Sequence, residues 1–272
     1  MEVTLKHKQI PKYRGRIAPT PSGFLHEGHA KTFQVAWNRA RNRNGSVIYR
    51  NDDLDKSRCK KEFVRLAMKD LRGLKIDWDE GPDCGGSYGP YDQSKRAEQY
   101  LTTLLKLAEK GYIYPCDKSR KEIQSLGIKS KSYKEYLFPQ EFRPTKKVYV
   151  KDQVSLKTNW RFRTKWNCSI NFHDCRRGEQ HFTVGEDLSD FLVWRKEGIA
   201  SYELATVVDD YLMRVTEIVR GEDLLISTAR QCLLFDVLKW KRPEFYHCEL
   251  IVDEKGRKLS KTSRNLNYLT NK

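Results

Sequence analysis

Two histidines lie three positions apart in the segment His26-Glu27-Gly28-His29, directly after a run of small residues and prolines. Zinc ligands on a helix prefer a separation of four and need a third ligand nearby, which this segment does not offer. At a junction between a strand and a helix, both imidazoles would face a ligand at the positive end of the helix, where phosphate binds. The spacing therefore favours a phosphate site over a metal site, and an incidental occurrence stays open as the alternative.

Two lysines near the far end of the sequence suit the same chemistry. Residues 256–262 read GRKLSKT and place Lys258 and Lys261 on a glycine-containing loop. Lysine carries a point charge on a flexible stem, so it can follow a departing pyrophosphate. Alone, such a string is typical of a solvated surface in a basic protein. Together with His26 and His29, it predicts two halves of one triphosphate site.

The elements that position these groups alternate along the chain. Apolar residues at helical spacing predict a helix that ends at Asn44-Gly45, then a buried strand over 46–50 and an amphipathic helix over 57–74. Gly73 is predicted to adopt the left-handed conformation that ends this second helix. Alternating strands and helices predict a parallel sheet with right-handed crossovers, which binds ligands beyond the carboxyl ends of its strands.

The texture of the sequence changes near residue 115. Residues 117–147 are rich in lysine with weak periodicity, and short alternating runs follow them. We interpret residues 115–185 as an inserted α+β subdomain. The segments 1–114 and 186–272 then form the two halves of a catalytic domain, and the predicted fold class is α/β with a Rossmann-type parallel sheet.

The second half of this catalytic domain returns to alternating hydrophobicity. The alternating pattern runs from residue 190 through residues 204–210 and 216–221. A helix follows, with Ser227 or Thr228 as its N-cap. Residues 248–253, CELIVD, then predict a strand that leads into the GRKLSKT loop.

The charge of the chain indicates a polyanionic partner. Its 272 residues contain 52 Lys and Arg against 36 Asp and Glu, a formal net charge of +16, which is typical of proteins that bind nucleic acid. A generic basic surface is the alternative. No apolar run approaches the roughly 18 residues of a membrane span, and no signal peptide is recognisable, so we expect a cytoplasmic protein with no membrane partner. The 7 cysteines include no CxxC pair, which favours reduced thiols.

The HEGH and KLSKT segments resemble the two signature motifs of class I aminoacyl-tRNA synthetases. Between residues 14 and 265, the sequence resembles the glutamyl branch of that family, whose segments occur here in the family's order: RIAPTPSGFLHEGHAKT, RNDDLD, YDQSKRAEQY, SYELATVVDD, TEIVRGEDLL, STARQ and GRKLSK. The resemblance implies a Rossmann-type catalytic domain split by an insertion that binds the acceptor end of tRNA. It also implies attack of an amino-acid carboxylate on the α-phosphate of ATP, with release of pyrophosphate.

The resemblance implies roles for the histidines and lysines. His26 and His29 would contact the ATP phosphates, and Gly28 would leave room for adenine. Lys258 and Lys261 would stabilise the pyrophosphate side of the transition state. ATP, together with Mg²⁺, is therefore the expected nucleotide substrate.

The resemblance also implies an amino-acid pocket, formed by Arg16, Ala18, Thr20, Asp52, Tyr202 and Arg220. In this pocket Arg16 would bind the α-carboxylate and Asp52 the α-amino group. The glutamyl branch commonly has Glu at the position of Asp52, whereas glutaminyl relatives have Asp. The chain departs from its branch at this position, which affects the expected pocket geometry.

Arg220 would read the side chain of the amino acid. A buried guanidinium makes a two-pronged, charge-assisted bond to a γ-carboxylate, whereas the neutral amide of glutamine leaves part of that charge unpaired. The loss is roughly 1 to 3 kcal/mol, so glutamate is the expected substrate. A salt bridge from Arg220 to Glu217, Glu222 or Asp223 is the structural alternative.

A structural zinc ion is not expected. Many members of the glutamyl branch bind zinc in the insertion through a CxC pair, but here Cys116 is followed by Lys118 at the position of the second thiolate. Cys168, His173 and Cys175 lie close together in the sequence, yet they suit a strand and its turn equally well.

The expected acceptor of glutamate is tRNA. Full-length glutamyl-tRNA synthetases continue beyond the lysine loop into helical domains that read the anticodon, and we expect no such domain here. In this respect the chain resembles the shorter glutamyl-queuosine tRNA(Asp) synthetases, which attach glutamate to queuosine and dock the anticodon stem-loop. We expect a monomer. Two alternatives stay open: a reduced synthetase that charges a tRNA 3′ end or another acceptor, and a catalytically idle tRNA- or nucleotide-binding module.

Overall fold

The computed structural model describes residues 12–251 of the chain. Its helices are α1 (Glu27–Arg41), α2 (Lys61–Gly73), α3 (Ala97–Glu109), α4 (Arg120–Ser125), α5 (Tyr202–Leu212) and α6 (Leu225–Leu238). Its strands are β1 (Arg14–Ile17), β2 (Ser46–Tyr49), β3 (Ile113–Cys116), β4 (Asn159–Phe162), β5 (Ser169–Asp174), β6 (Gly178–Thr183), β7 (Phe191–Arg195), β8 (Ile199–Ala200), β9 (Glu217–Gly221) and β10 (Glu244–Cys248). Within this range, no helix combines the length and the apolar character needed to cross a bilayer.

Parallel strands form the centre of the fold. β1 pairs with β2, and β9 pairs with β10, both in parallel register. The N–H of Thr216, directly before β9, donates to the carbonyl of Arg14 in β1 (2.9 Å) and so joins the two pairs. β10 also pairs in parallel with β5, at Phe245 and Asp174. The predicted α/β class with a parallel sheet is therefore confirmed.

Helix α1 covers β1 and β9. Its buried face consists of Ala30, Phe33, Ala36 and Ala40, at the intervals of three and four that the sequence pattern predicts. An acidic residue in its first turn and two arginines in its last turn complement the helix dipole. This packing places the N-terminus of α1 close to the carboxyl end of β1.

A second, antiparallel sheet contains β3, β4, β7 and β8 in that order. Its buried side chains, such as Trp160, form one apolar cluster with Leu104 of α3 and Leu204 of α5. The hairpin of β5 and β6 instead adjoins β10. The division of the chain at residues 115 and 185 stays a prediction.

Two predicted helix ends are wrong. Gly73 is the last residue of α2, and the left-handed conformation falls two residues later, on Lys75 (φ 60°). Helix α6 begins at Leu225, so neither Ser227 nor Thr228 is its N-cap. A 3₁₀ turn leads directly into α6, and both hydroxyl groups bond other side chains inside the protein instead.

Two predicted strands are also misplaced. Residues 204–210 belong to α5, and all of them are buried. A helix without a polar face does not reveal its period, so the sequence cannot distinguish it from a strand. The strand expected over 248–253 lies four residues earlier, at β10, where Glu244 and His247 interrupt the apolar pattern.

Candidate active site

A cavity of about 410 Å³ opens at the carboxyl ends of β1 and β9, beside the start of α1. All the predicted site residues that the structure describes line it: Arg16, Ala18, Thr20, His26, Gly28, His29, Asp52, Tyr202 and Arg220. Lys258 and Lys261 lie outside the described residues. Their place beside the histidines stays a prediction.

His26 and His29 form the end of the cavity at the start of α1, which we call the histidine end. His26 is the residue before the first helical turn and has extended backbone angles (φ −118°, ψ 170°), so it lies at the predicted strand-to-helix junction. The two imidazole rings stack with their centroids 3.7 Å apart, and His29 Nδ1 lies 3.5 Å from the backbone nitrogen of His26. A phosphate group at this point can accept hydrogen bonds from the first N–H groups of α1 and from the imidazoles.

Gly28 allows the His26 ring to lie against the helix. A Cβ atom at this position would be 3.0 Å from Cε1 and 3.1 Å from Nδ1 of His26. These separations are shorter than normal van der Waals contact, so a side chain here would displace the ring. The resemblance implies that Gly28 makes room for adenine, and the structure gives the glycine this further steric reason.

Arg220, at the end of β9, forms what we call the arginine end of the cavity. Its side chain is only 4% exposed. Nη2 donates to Thr228 Oγ1 (2.6 Å), Nη1 donates to Tyr202 Oη (3.4 Å), and Nε donates to His247 Nε2 (3.4 Å). Thr228 and Tyr202 bind it through neutral hydroxyl groups. Burial lowers the pKa of His247, so this imidazole is neutral as well.

The salt bridges considered as the alternative for Arg220 are not formed within residues 12–251. Glu217 binds Arg39 instead (2.5 Å), and Glu222 binds Arg177. No carboxylate in this range forms an ion pair with Arg220. A buried guanidinium held by neutral groups suits an anionic ligand, whose carboxylate can accept two of its N–H groups.

Arg16 and Asp52 connect the cavity to a buried cluster of charges. Arg16 Nη1 donates to the carbonyl of Val219 (2.8 Å), and its Nε lies 3.5 Å from Asp210 Oδ1. Arg50 Nε donates to Asp52 Oδ1 (2.8 Å), and Arg50 Nη1 donates to Asp210 (2.6 Å). Each buried charge thus lies beside an opposite one, which offsets part of the cost of burial and fixes both side chains.

Burial has the largest effect on the titration of Arg16 and Asp52. Burial lowers the pKa of Arg16 below its usual value, and the neighbouring Arg50 and Arg220 charges act in the same direction. Burial raises the pKa of Asp52 to about 6, against the opposing charge of Arg50. Asp52 is therefore ionised at pH 7 and can bind an ammonium group, but it gains a proton in mildly acidic solution.

The sequence reasoning missed Thr228 and His247 as partners of Arg220. His247 is the register partner of Arg220 in the parallel pair of β9 and β10, and Thr228 approaches from α6. A histidine inside an apolar strand was the available signal, but strand register cannot be read from one sequence. Asp223 and Glu249 also line the cavity and were not predicted.

A group of possible metal ligands lies away from this cavity. Cys175, Glu217 and Glu244 place ligand atoms within 4.8 Å of one another. Glu217 is already bound by Arg39 and by the hydroxyl of Tyr13. None of the three ligands lines the cavity, so we assign this group no part in its chemistry.

The fold and the cavity define a class of protein. A cavity at the carboxyl edge of a parallel sheet, with a helix N-terminus at one end, is typical of α/β proteins that bind nucleotides. Residues 12–272 match the family of class I tRNA synthetases (E and Q), catalytic domain. The chain belongs to this family of ligases.

Similar proteins agree with this assignment. The chain is 40% identical over 257 residues to a glutamyl-Q tRNA(Asp) synthetase of Symbiobacterium thermophilum, covering 91% of this chain and 77% of the relative. It is 36% identical to glutamate–tRNA ligase 2 of Syntrophus aciditrophicus, covering 92% of this chain and 52% of the relative. The crystal structure of a glutamate–tRNA synthetase from Elizabethkingia anophelis matches with a TM-score of 0.78 and 30% identity, over 92% of this chain and 52% of that one. The chain thus spans about half the length of the glutamate–tRNA ligases that it matches.

Proposed function

We propose that the protein activates glutamate with ATP and transfers it to queuosine in the anticodon loop of tRNA(Asp). In the first step, an oxygen of the glutamate α-carboxylate attacks the α-phosphorus of ATP. The bond to the β-phosphate breaks, so glutamyl adenylate forms and pyrophosphate leaves. In the second step, a hydroxyl group of queuosine attacks the acyl carbon, and AMP leaves.

One observation carries this proposal. A single cavity contains two imidazoles at a helix N-terminus and a buried arginine that forms no ion pair with a carboxylate of the described residues. The histidine end suits the phosphates of ATP, and Arg220 suits the γ-carboxylate of glutamate. Arg16 suits the α-carboxylate, and Asp52 suits the α-ammonium group.

The proposed roles in catalysis are electrostatic. His26 and His29 would donate hydrogen bonds to phosphoryl oxygens as negative charge develops on them. Lys258 and Lys261 would bind the departing pyrophosphate through their flexible charged stems. Mg²⁺ would enter with ATP as part of the substrate.

We propose tRNA as the acceptor, bound through its anticodon stem-loop. Two relatives, 40% and 38% identical, are named glutamyl-Q tRNA(Asp) synthetases. The net charge of +16 also suits a nucleic acid partner, because neutralised phosphates supply much of the affinity in such complexes. The cytoplasm is the proposed compartment, and a monomer is the proposed working unit.

Labelled glutamate tests the acceptor when it is supplied with total tRNA from cells that make queuosine and from cells that cannot. Label that requires queuosine and is released by mild base supports the proposal. Equal label on queuosine-free tRNA would instead support charging of the 3′ end. Absence of glutamate-dependent exchange of pyrophosphate into ATP would favour a tRNA- or nucleotide-binding module without activity.

A further inference from the structure

A row of buried side chains leads from Arg220 away from the cavity. His247 lies beside Arg220 in the parallel pair of β9 and β10, and β5, on the other side of β10, ends at Asp174. His247 and Asp174 are both 0% exposed. Three adjacent strands therefore place an arginine, a histidine and an aspartate next to one another inside the protein.

The hydrogen bonds of Asp174 determine which nitrogen of His247 carries the proton. Asp174 Oδ2 lies 2.6 Å from His247 Nδ1, and Asp174 Oδ1 accepts the backbone N–H groups of Arg176 (3.0 Å) and Arg177 (2.9 Å). Burial alone would raise the pKa of Asp174, but the hydrogen bonds from His247 and these N–H groups hold it below its usual value. The carboxylate is therefore only an acceptor, so Nδ1 donates to it and Nε2 of the neutral ring accepts.

Thr228 and His247 hold two different nitrogens of the guanidinium. Arg220 Nη2 donates to Thr228 Oγ1 (2.6 Å), and Arg220 Nε donates to His247 Nε2 (3.4 Å). The hydroxyl of Thr228 can in turn donate to His247, because Oγ1 lies 2.8 Å from the unprotonated Nε2. The orientation of the guanidinium is thus fixed on the side that faces away from Tyr202.

The imidazole also separates Arg220 from the carboxylate at the end of the row. A direct pair between Asp174 and Arg220 would cancel the charge that a ligand carboxylate needs. The imidazole between them accepts a hydrogen bond from the guanidinium and donates one to the carboxylate, and it brings no negative charge next to Arg220. Arg220 is therefore oriented by a carboxylate that it does not touch.

We propose that Asp174, His247 and Thr228 are positioning residues, which orient Arg220 and keep its charge available. They thereby set the preference for a γ-carboxylate over a γ-amide. This inference rests on the proposed function, in which Arg220 reads the side chain of glutamate. It adds to that function the groups that make the reading selective.

Pyrophosphate exchange by the full chain tests the role of Thr228 with a matched pair of variants. Thr228→Val removes the hydroxyl and is expected to raise the KM for glutamate about 10- to 100-fold, the effect of one lost bond to a charged group. The KM for ATP should not change, and the ratio of kcat/KM for glutamate over glutamine should fall. Thr228→Ser keeps the hydroxyl and should restore both values.

Thr103→Val is the control for loss of a buried threonine hydroxyl. Thr103 is 5% exposed in α3, and its hydroxyl bonds the carbonyl of Gln99, four residues back (3.0 Å). Thr228 Oγ1 likewise lies 3.0 Å from the carbonyl of Leu224, four residues back. Because Thr103 does not line the cavity, Thr103→Val should leave both KM values and the selectivity unchanged.

Asp174→Asn tests the far end of the row. An amide group in place of the carboxylate can donate to Nδ1, so His247 would then carry its proton on Nε2. The N–H groups of Nε2 and of Arg220 would face each other as two donors, and the hydrogen bond between them would be lost. We expect a higher KM for glutamate and lower selectivity, with an unchanged KM for ATP. Nitrogen-15 NMR of the histidine rings should show His247 protonated on Nδ1 in the unsubstituted protein, and this measurement needs no activity.

The outcomes distinguish this inference from the proposed function. If the unsubstituted protein shows no glutamate-dependent exchange, the proposed function fails, and the NMR tautomer alone decides whether Arg220 is positioned as described. A proton on Nε2 would overturn the positioning role. A Thr228→Val protein with the original glutamate KM and selectivity would overturn it too. Equal increases in both KM values would also contradict it, because a general loss of structure is not selective.

Discussion

One short segment builds the histidine end of the cavity, whereas four elements build the arginine end. His26, Gly28 and His29 are near neighbours at the start of α1. Arg220 extends from β9 and is held by side chains of α5, α6 and β10. The first end is thus a local feature of the chain, and the second depends on tertiary packing.

The two ends also differ in how deeply their polar side chains are buried. At the histidine end His26 is 7% exposed and His29 is half-buried, whereas Arg220 is only 4% exposed. Charge interactions are stronger in the less polar interior, where water does not screen them. We therefore expect substitutions at the arginine end to cause large changes in amino-acid selectivity. Substitutions at the histidine end should cause smaller changes, in the kinetic parameters for ATP.

Arg220→Leu should give the largest effect. Loss of two charge-assisted hydrogen bonds is expected to lower kcat/KM for glutamate about 100- to 1000-fold in pyrophosphate exchange, while glutamine changes little. Arg242→Leu is the control, because Arg242 pairs with Asp236 near the protein surface and does not line the cavity. Retained preference for glutamate in Arg220→Leu would show that another group reads the side chain.

His29→Ala should lower kcat about 10- to 100-fold, because one hydrogen bond to a charged phosphoryl oxygen is lost. The KM for glutamate and the selectivity against glutamine should stay as they are. Single-turnover rates of adenylate formation check this. A change in selectivity as large as that of Arg220→Leu would mean that the two ends do not have separate tasks.

The pH dependence of kcat/KM for glutamate should report the ionisation of Asp52. Its carboxylate, with a pKa raised by burial to about 6, must be ionised to bind the α-ammonium group. We therefore expect kcat/KM for glutamate to be constant above pH 7 and to fall as pH decreases through 6, by about tenfold per pH unit on the acid side. Initial exchange rates measured between pH 5 and 8 provide the test, and a flat profile would remove Asp52 from this role.

Gly28→Ala should give the smallest effect. The new Cβ atom would lie 3.0 Å from Cε1 of the His26 ring and force a small rotation of that side chain. The free-energy cost of an off-rotamer side chain corresponds to an increase of about 2- to 10-fold in the KM for ATP. The KM for glutamate should stay unchanged. An unaffected KM for ATP would show that the position of the His26 ring is unimportant for the nucleotide.

The same contrast explains what the sequence could predict. The histidine end was predictable because the spacing of His26 and His29 and the start of a helix are written in consecutive residues. The end of α1 near Asn44-Gly45 was predictable for the same reason: the helix ends at Arg41, and Asn44 is left-handed (φ 49°). Local patterns of this kind need no knowledge of tertiary contacts.

The arginine end could not be derived in this way. Arg16 and Arg220 are far apart in the sequence, and only the resemblance to a family placed them in one pocket. Thr228 was mistaken for a helix cap, because a hydroxyl near a helix start has the same pattern whether it caps the helix or bonds a neighbouring strand. The contact of His247 depends on the register of β10, which local sequence does not specify.

Calorimetric binding of a non-hydrolysable glutamyl adenylate analogue, compared with its glutaminyl counterpart, tests most directly whether the two ends form one selective pocket. We expect the glutamyl analogue to bind about 10- to 100-fold more tightly, because only its γ-carboxylate pairs with the charge of Arg220. Arg220→Leu should abolish the difference. Equal affinities of the two analogues for the unsubstituted protein would contradict this reading of the cavity.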